Sequence, residues 1–200
     1  TSLKVRPIEA MLQHQGEVLG LHPMCAPTPT GLLKQPVVSC TGRDGHKGAL
    51  FRKLLQQLGA NVIDMTAEHH DQLMAVVQGL HHFNSIVFAH TLQSLGVSAE
   101  ETMQVASPVY ELRMQLIGRI LAQNPELYVD IELENPHMPT VLKAYAQSMD
   151  EFKRAIEGGS RDASLKFFAE AAKSFGPYRY EALKQSDETL VTRQCLASRR

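Results

Sequence analysis

The stretch Val18-Leu19-Gly20-Leu21-His22-Pro23-Met24 decides how the first third of the chain is read. A short apolar run bounded by Gly16 and Pro23 has the signature of a buried strand over Glu17–Leu21, and the residue before a proline is driven toward extended geometry. His22 is thereby placed at the carboxyl end of a strand. In open α/β sheets that end faces the ligand crevice, where a neutral imidazole is able to take a proton near neutral pH. The plainer alternative is a histidine that only hydrogen-bonds a neighbouring loop.

Outward from this strand, residues 2–66 alternate between helical and extended patterns. Pro7 at a first helical position leads Ile8, Met11 and Leu12 on one face, and a Pro/Thr/Gly-rich loop over 22–35 precedes a strand over Pro36–Cys40. A helix over Gly48–Leu58 stops at Gly59, and Ala60–Met65 reads as a further strand. Strands alternating with helices predict a mostly parallel sheet. Roughly 65 residues is small for such a sheet, and the chain opens at Thr1 without Met, so a missing amino-terminal part is expected.

From Ala67 the strand signals vanish. Glu68–Leu95 is apolar on nearly every side and predicts one long helix buried among others. Ser98-Ala99-Glu100-Glu101 is a capping box, and Ser107-Pro108 starts a helix with Val109, Leu112, Leu116 and Ile120 on one face. Further helices are expected over Pro125–Glu134, Pro139–Glu157, Arg161–Phe175 and Tyr178–Cys195, with Gly158 and Gly176 as stops and a frayed Arg199-Arg200 end. The predicted class is mixed, an α/β region over 1–66 followed by an all-α region over 67–200. Five modest helices cover a wholly apolar long helix poorly, whereas two pooled copies in a homodimer would cover it.

Composition narrows the function. Of 200 residues 44% are hydrophobic and 20% charged, with a formal net charge of -1, which argues against a nucleic-acid surface. No apolar stretch is long enough to span a bilayer and no signal peptide opens the chain. Cys25, Cys40 and Cys195 lack metal-like spacing and are odd in number, which fits a reducing compartment, the cytoplasm.

Several side chains have the chemistry of a site. A Ser2 hydroxyl is able to bond the His22 imidazole and fix its tautomer, or else caps the helix near Pro7. His69, His70, His81, His82 and His90 include no pair at the i, i+4 spacing of a helical zinc site, so no metal is expected. His82 on an apolar helix is a satisfied core residue or a titratable group beside a cleft. Arg119 lies in a Gln115/Arg119/Gln123 polar stripe at the margin of a buried face, suited to bidentate capture of a carboxylate or to a surface salt bridge. Arg113 falls on another, solvent-facing side. Tyr128 either closes an aromatic wall or packs into the helices.

These residues fall in a familiar series. Thr1-Ser2-Leu3-Lys4, Gly20-Leu21-His22-Pro23-Met24, His70-Asp71-Gln72, Leu80-His81-His82-Phe83, Ser107-Pro108-Val109-Tyr110, Gly118-Arg119 and Pro125-Glu126-Leu127-Tyr128 follow one another in order. The series resembles the carboxyl-terminal two-thirds of bacterial prephenate dehydrogenases, above all the dehydrogenase part of the bifunctional chorismate mutase/prephenate dehydrogenases called T-proteins. The resemblance implies the C-terminal part of a Rossmann-like α/β domain, followed by an all-α substrate-binding and dimerisation domain. It also implies NAD-dependent oxidative decarboxylation of prephenate to 4-hydroxyphenylpyruvate in tyrosine biosynthesis, with tyrosine as a feedback inhibitor.

The same resemblance assigns roles. His22 takes the proton of the substrate's ring hydroxyl as hydride leaves that carbon, and Ser2 orients the histidine and touches substrate or nicotinamide. Arg119 holds a substrate carboxylate, His82 and Tyr128 line the pocket, and Pro23 and Met24 border the nicotinamide with Ser2. Three features depart from the family's pattern. The Gly-rich dinucleotide fingerprint is absent, so a fragment inactive alone is expected; Glu111 stands where T-proteins carry Arg; and Cys25-Ala26 replaces a Phe-Gly pair. Two rival functions follow. One is an arogenate dehydrogenase, with Glu111 facing the substrate's ammonium, and the other is a non-catalytic helical dimer module that senses tyrosine.

Overall fold

A computed structural model describes residues 2–25 and 31–197, without the side chains of 194, 196 and 197. The middle of the Pro/Thr/Gly-rich loop, including the Ala26 half of the Cys25-Ala26 pair, and the Arg199-Arg200 end lie outside the described residues. The elements run α1 (Val5–Met11), β1 (Val18–Pro23), β2 (Pro36–Arg43), α2 (His46–Gln57), β3 (Asn61–Asp64), α3 (Ala67–Met74), a π-helical segment (Ala75–Leu80), α4 (His81–Ser94), α5 (Ala99–Gln104), α6 (Pro108–Leu121), α7 (Pro125–Glu134), α8 (Met138–Glu157), α9 (Arg161–Phe175) and α10 (Tyr178–Ala197). A small α/β region followed by helices is the class expected from the sequence.

The sheet order is β1-β2-β3, with β1 antiparallel to β2 and β2 parallel to β3. This corrects the expectation of a mostly parallel sheet. The described residues of the β1–β2 connection form no helix, and an antiparallel neighbour needs none, whereas the parallel β2–β3 pair is joined through α2. β2 is central and buried on both faces. Val38 and Cys40 pack with Ile8 and Val18 on the α1 side, while Val37 packs with Leu55 and Ala60 on the α2 side.

Strand periodicity then fixes where His22 points, because residues two apart share a face. Gly20 and His22 pair with Cys40 and Val38, on the α1 side. Gly20 is small for a reason: a Cβ there would lie 2.9 Å from Ile8 Cδ1 and 3.1 Å from Lys4 Cδ. The start of α1 therefore presses against β1 one strand repeat from His22. α1 itself begins at Val5, two residues before the expected proline start. Pro7 is tolerated because the N–H groups of a first turn have no partner within the helix. No side chain of the N-cap residue, Lys4, caps it.

By packing, the chain divides into two compact units, one of residues up to Ser85 together with Asn124–Val141, the other of Ile86–Gln123 together with the residues from Leu142 onward. The first holds the sheet, α1 to α3, the π segment, the first turn of α4 and α7. The second is helical. Its ends are set by the residues the sequence pointed to: Ser98 and Glu101 form a reciprocal capping box, Ser107 caps α6 through Tyr110 N–H, and Gly176 stops α9 at a positive φ. Inside this unit Phe152 stacks on Phe167 with ring centroids 4.8 Å apart, and Arg113 lies 4.2 Å over Phe88.

The segment expected as one long buried helix is α3, the π segment and α4 in succession. Its buried face carries His70, Asp71, Met74, Ala75, Gly79 and Ser85, whereas Leu73, Val76 and Val77 are 38%, 49% and 51% exposed. The apolar residues thus do not all turn inward, and the face packed within the unit is polar at His70, Asp71 and Ser85. Gly79 is required by close packing, since a Cβ would collide with the Met138 thioether. π segments widen the turn and recur beside functional sites.

Candidate functional site

The site is built from β1, the start of α1 and the first turns of α3. Thr66 caps α3 by accepting the His69 N–H at 3.1 Å, which starts the helix in time for His70 and Asp71 to fall on its buried side. His22 Nδ1 lies 2.8 Å from His70 Nε2, and His70 Nδ1 lies 2.7 Å from Asp71 Oδ1. Asp71 Oδ1 also accepts the Lys4 N–H at 2.8 Å, and its Oδ2 accepts the Val5 N–H at 3.0 Å. His22, His70 and Asp71 are 9%, 0% and 1% exposed. Asn135, at the end of α7, donates to the Asp71 carbonyl at 2.9 Å and accepts the His137 N–H at 3.0 Å, so the backbone of this helix is tied as well.

The electrostatics follow from burial. His22 is pushed down to about 4 by desolvation, and the charges of Lys4 and a protonated His70 push the same way. His70 is lowered by burial, with its Asp71 hydrogen bond opposing. Lys4, buried next to Asp71, is lowered by desolvation, and its ammonium donates to the Leu3 carbonyl at 3.2 Å. His22 is consequently neutral across physiological pH, with Nδ1 engaged and Nε2 bonded to no side chain among the described residues.

Ser2 is half-buried just ahead of Lys4, and the contact to His22 that the sequence suggested for it belongs to His70 instead. Nor does Ser2 cap α1, which begins beyond its reach at Val5. Pro23 is exposed at the end of β1, and Met24 is half-buried against the Ile8 cluster. His82 and Tyr128 do come together, edge to face, with centroids 4.6 Å apart at 79°. The His82 Nδ1 is buried without a hydrogen-bond partner among the described residues, and burial, then His81, pushes the ring down to about 4. Arg119 is exposed in the last turn of α6, in the other unit, and forms no ion pair among the described residues. Glu111 is paired to Arg193 at 3.1 Å and accepts from Gln115, so its charge is already engaged.

His70 and Asp71 carry no role in the sequence reading. The Thr66 cap signal and the i, i+1 placement on α3 were available, but their partner His22 lies 48 residues away. Among the described residues no group of three or more His, Cys, Asp or Glu side chains is arranged to hold a metal ion.

The strand-to-helix turn from β2 into α2 is of the type that seats a pyrophosphate, and Glu17 already occupies it, accepting the Lys47 and Gly48 N–H groups at 3.1 and 2.6 Å, while at the second such turn, from β3 into α3, Thr66 accepts the His69 N–H. The first arrangement lowers the Glu17 carboxyl, chiefly through the Gly48 bond, and closes that helix start to a phosphate. The start of α2 therefore does not fit the phosphates of NAD.

Residues 66–170 match the family model described as "Prephenate dehydrogenase, dimerization domain". The chain is 38% identical to a probable arogenate/prephenate dehydrogenase of Methanocaldococcus jannaschii over 95% of its own length and 44% of that protein. It is 35% identical to the T-protein of Enterobacter agglomerans over 94% of its length and 51% of that protein. The chain thus spans about half the length of the curated relatives it matches. In fold it resembles a prephenate dehydrogenase from Aquifex aeolicus solved with hydroxyphenyl propionate and NAD+, at a TM-score of 0.65 and 19% identity over 86% of this chain and 63% of that one.

Proposed function

This chain belongs to the prephenate dehydrogenase family, and on that premise we propose that the gene product carrying it performs an NAD-dependent oxidative decarboxylation of prephenate, with His22 as general base. The observation that carries the reading is the neutral His22 imidazole at the end of β1, backed by His70 and Asp71, with Nε2 left for a substrate. The bound nicotinamide supplies the hydride acceptor. His22 Nε2 takes the ring-hydroxyl proton as the carbinol carbon becomes a ketone, and the ketone draws in the electron pair released as the ring carboxylate departs as carbon dioxide. The ring becomes aromatic, and the proton held by His22 is available to the phenolate oxygen. A base whose pKa lies below the working pH accepts such a proton only while the reaction raises the acidity of the hydroxyl, which loss of hydride does.

Arg119 is proposed as the carboxylate clamp, with His82 and Tyr128 along the pocket and Ser2, Pro23 and Met24 beside the nicotinamide. The exposed Arg119 guanidinium, unpaired among the described residues, supports the first assignment. The orphaned His82 Nδ1 supports the second, because a buried polar atom without a partner is satisfied by what binds. A homodimer through the helices is supported by the dimerisation family model and by Met149, Phe152 and Ile156, exposed at helical spacing along α8. Sedimentation of the full gene product at monomer mass would overturn that part. Tyrosine is proposed as a competitive inhibitor, to be checked by its effect on the substrate KM.

Arogenate, which bears an ammonium where prephenate bears a ketone, has a specific observation in its favour. Glu132 lies one helical turn from Tyr128, its Oε1 is buried without a partner among the described residues, and burial raises its carboxyl. Glu111 no longer fills that role. The test is formation of reduced nicotinamide and carbon dioxide by the full gene product, with prephenate and arogenate compared. Turnover of prephenate at the higher kcat/KM is expected, and no turnover of either substrate would overturn the reading.

A further inference from the structure

Asp71 faces two ways. Its carboxylate ends the hydrogen-bond chain from His22, and it also receives the Lys4 and Val5 N–H groups, where the segment carrying Ser2 enters α1. We propose that Asp71 is a positioning residue that fixes, through His70, which ring nitrogen of His22 is bare, and that clamps the Ser2–Val5 segment beside it with the same carboxylate. The inference rests on the reading of His22 as the base.

Each donor along this chain must meet an acceptor. Backbone amides only donate, so the Lys4 and Val5 N–H groups make acceptors of Asp71 Oδ1 and Oδ2. His70 therefore presents Nδ1–H to Oδ1. Burial keeps His70 neutral, which leaves its Nε2 a lone pair, and the 2.8 Å contact then requires the His22 proton on Nδ1. His22 Nε2 is left as the acceptor. The opposite His22 tautomer would set two lone pairs face to face where His70 and Asp71 are all but solvent-free, leaving both acceptors unpaired. That tautomer would also point an N–H at the substrate, and His22 would have no lone pair with which to accept its proton. The second half of the clamp follows from α1 having no side-chain cap of its own. Asp71, 67 residues from Lys4, does that work from α3.

Two readouts separate this from a merely structural role. Imidazole nitrogen NMR of the full gene product should find His22 protonated on Nδ1 and bare on Nε2. In Asp71→Asn one acceptor oxygen becomes an NH2 donor, so kcat should fall roughly 100-fold, with a mixed His22 tautomer and a smaller change in substrate KM. If that variant does not fold, the His70 pair carries the test: His70→Gln keeps an acceptor toward His22 and should retain several-fold more kcat than His70→Phe, which keeps none. An Nε2-protonated His22 in the unmodified protein, a folded Asp71→Asn with kcat within about twofold, or equal kcat in the two His70 variants would overturn the proposal. An unmodified protein inert toward both substrates, yet showing the expected tautomer, would instead overturn the assigned reaction and leave the hydrogen-bond chain standing.

Discussion

His22 and His82 are two imidazoles of one structural unit, both pushed by burial from 6.5 to about 4, and they differ in what lies behind the ring. The first is wired at Nδ1 to His70 and from there to a carboxylate that two backbone amides hold. The second leans edge-on against Tyr128 and has a buried Nδ1 with no partner. Equal pKa directions therefore conceal unequal chemistry. A wired ring has one tautomer and one free lone pair, which suits proton transfer, whereas an orphaned ring costs the folded protein a desolvated polar atom and suits a surface completed by a ligand.

The comparison predicts that damage at His22 appears in kcat and damage at binding groups in KM. His22→Asn should lower kcat about 10²–10⁴-fold while leaving the melting temperature close to that of the unmodified protein, as steady-state kinetics and calorimetry would show. Unchanged turnover would break the distinction at its stronger end. Arg119→Gln should raise the substrate KM about 10- to 100-fold, the loss of roughly 1.5–3 kcal/mol of charge-assisted hydrogen bonding, with the KM for NAD unmoved. An unmoved substrate KM would return Arg119 to the solvent surface where it now stands.

His82→Phe sharpens the other side. The ring contact with Tyr128 survives and the orphaned nitrogen is gone, so the free protein should be more stable by about 1 kcal/mol, roughly 2–4 °C in Tm, while substrate binding weakens. Stabilisation without weaker binding would make His82 a packing residue. The smallest effect concerns acid. Both histidines have folded pKa values below their unfolded ones, so between pH 6.5 and about 4 the unfolded chain binds more protons. The stability they permit is fully present above pH 6.5 and is lost as pH falls toward 4, and His82→Phe should flatten that decline. The same depression places the acid limb of kcat/KM below that of an ordinary imidazole.

How far the sequence carried depended on the range of the interaction. The capping box at Ser98–Glu101, the Ser107-Pro108 start, the α7 and α9 spans and the stop at Gly176 were legible because each is set within a few residues. The antiparallel β1–β2 pairing was not, since a loop of that length permits either direction and only the strands' mutual packing selects one. The exposed Leu73, Val76 and Val77 were misread for a similar reason: apolar residues all around a helix do not say which face the unit buries, and the π segment shifts that face midway.

The site divides along the same line. His22 at the end of β1 was readable from an apolar run and a proline, whereas the edge contact of His82 with Tyr128 joins residues 46 apart and no local pattern announces it. Local order in the chain was enough to name the imidazole and to say that the protein is a small α/β region followed by helices, because strand and helix signals act over one or two turns. The contacts from which the free nitrogen of that imidazole and the positioning part of Asp71 are proposed arise only where α3 lays His70 against β1 and α1. Hydrogen bonds act over 3 Å in space whatever the separation in sequence, and the groups concerned lie 48 and 67 residues apart.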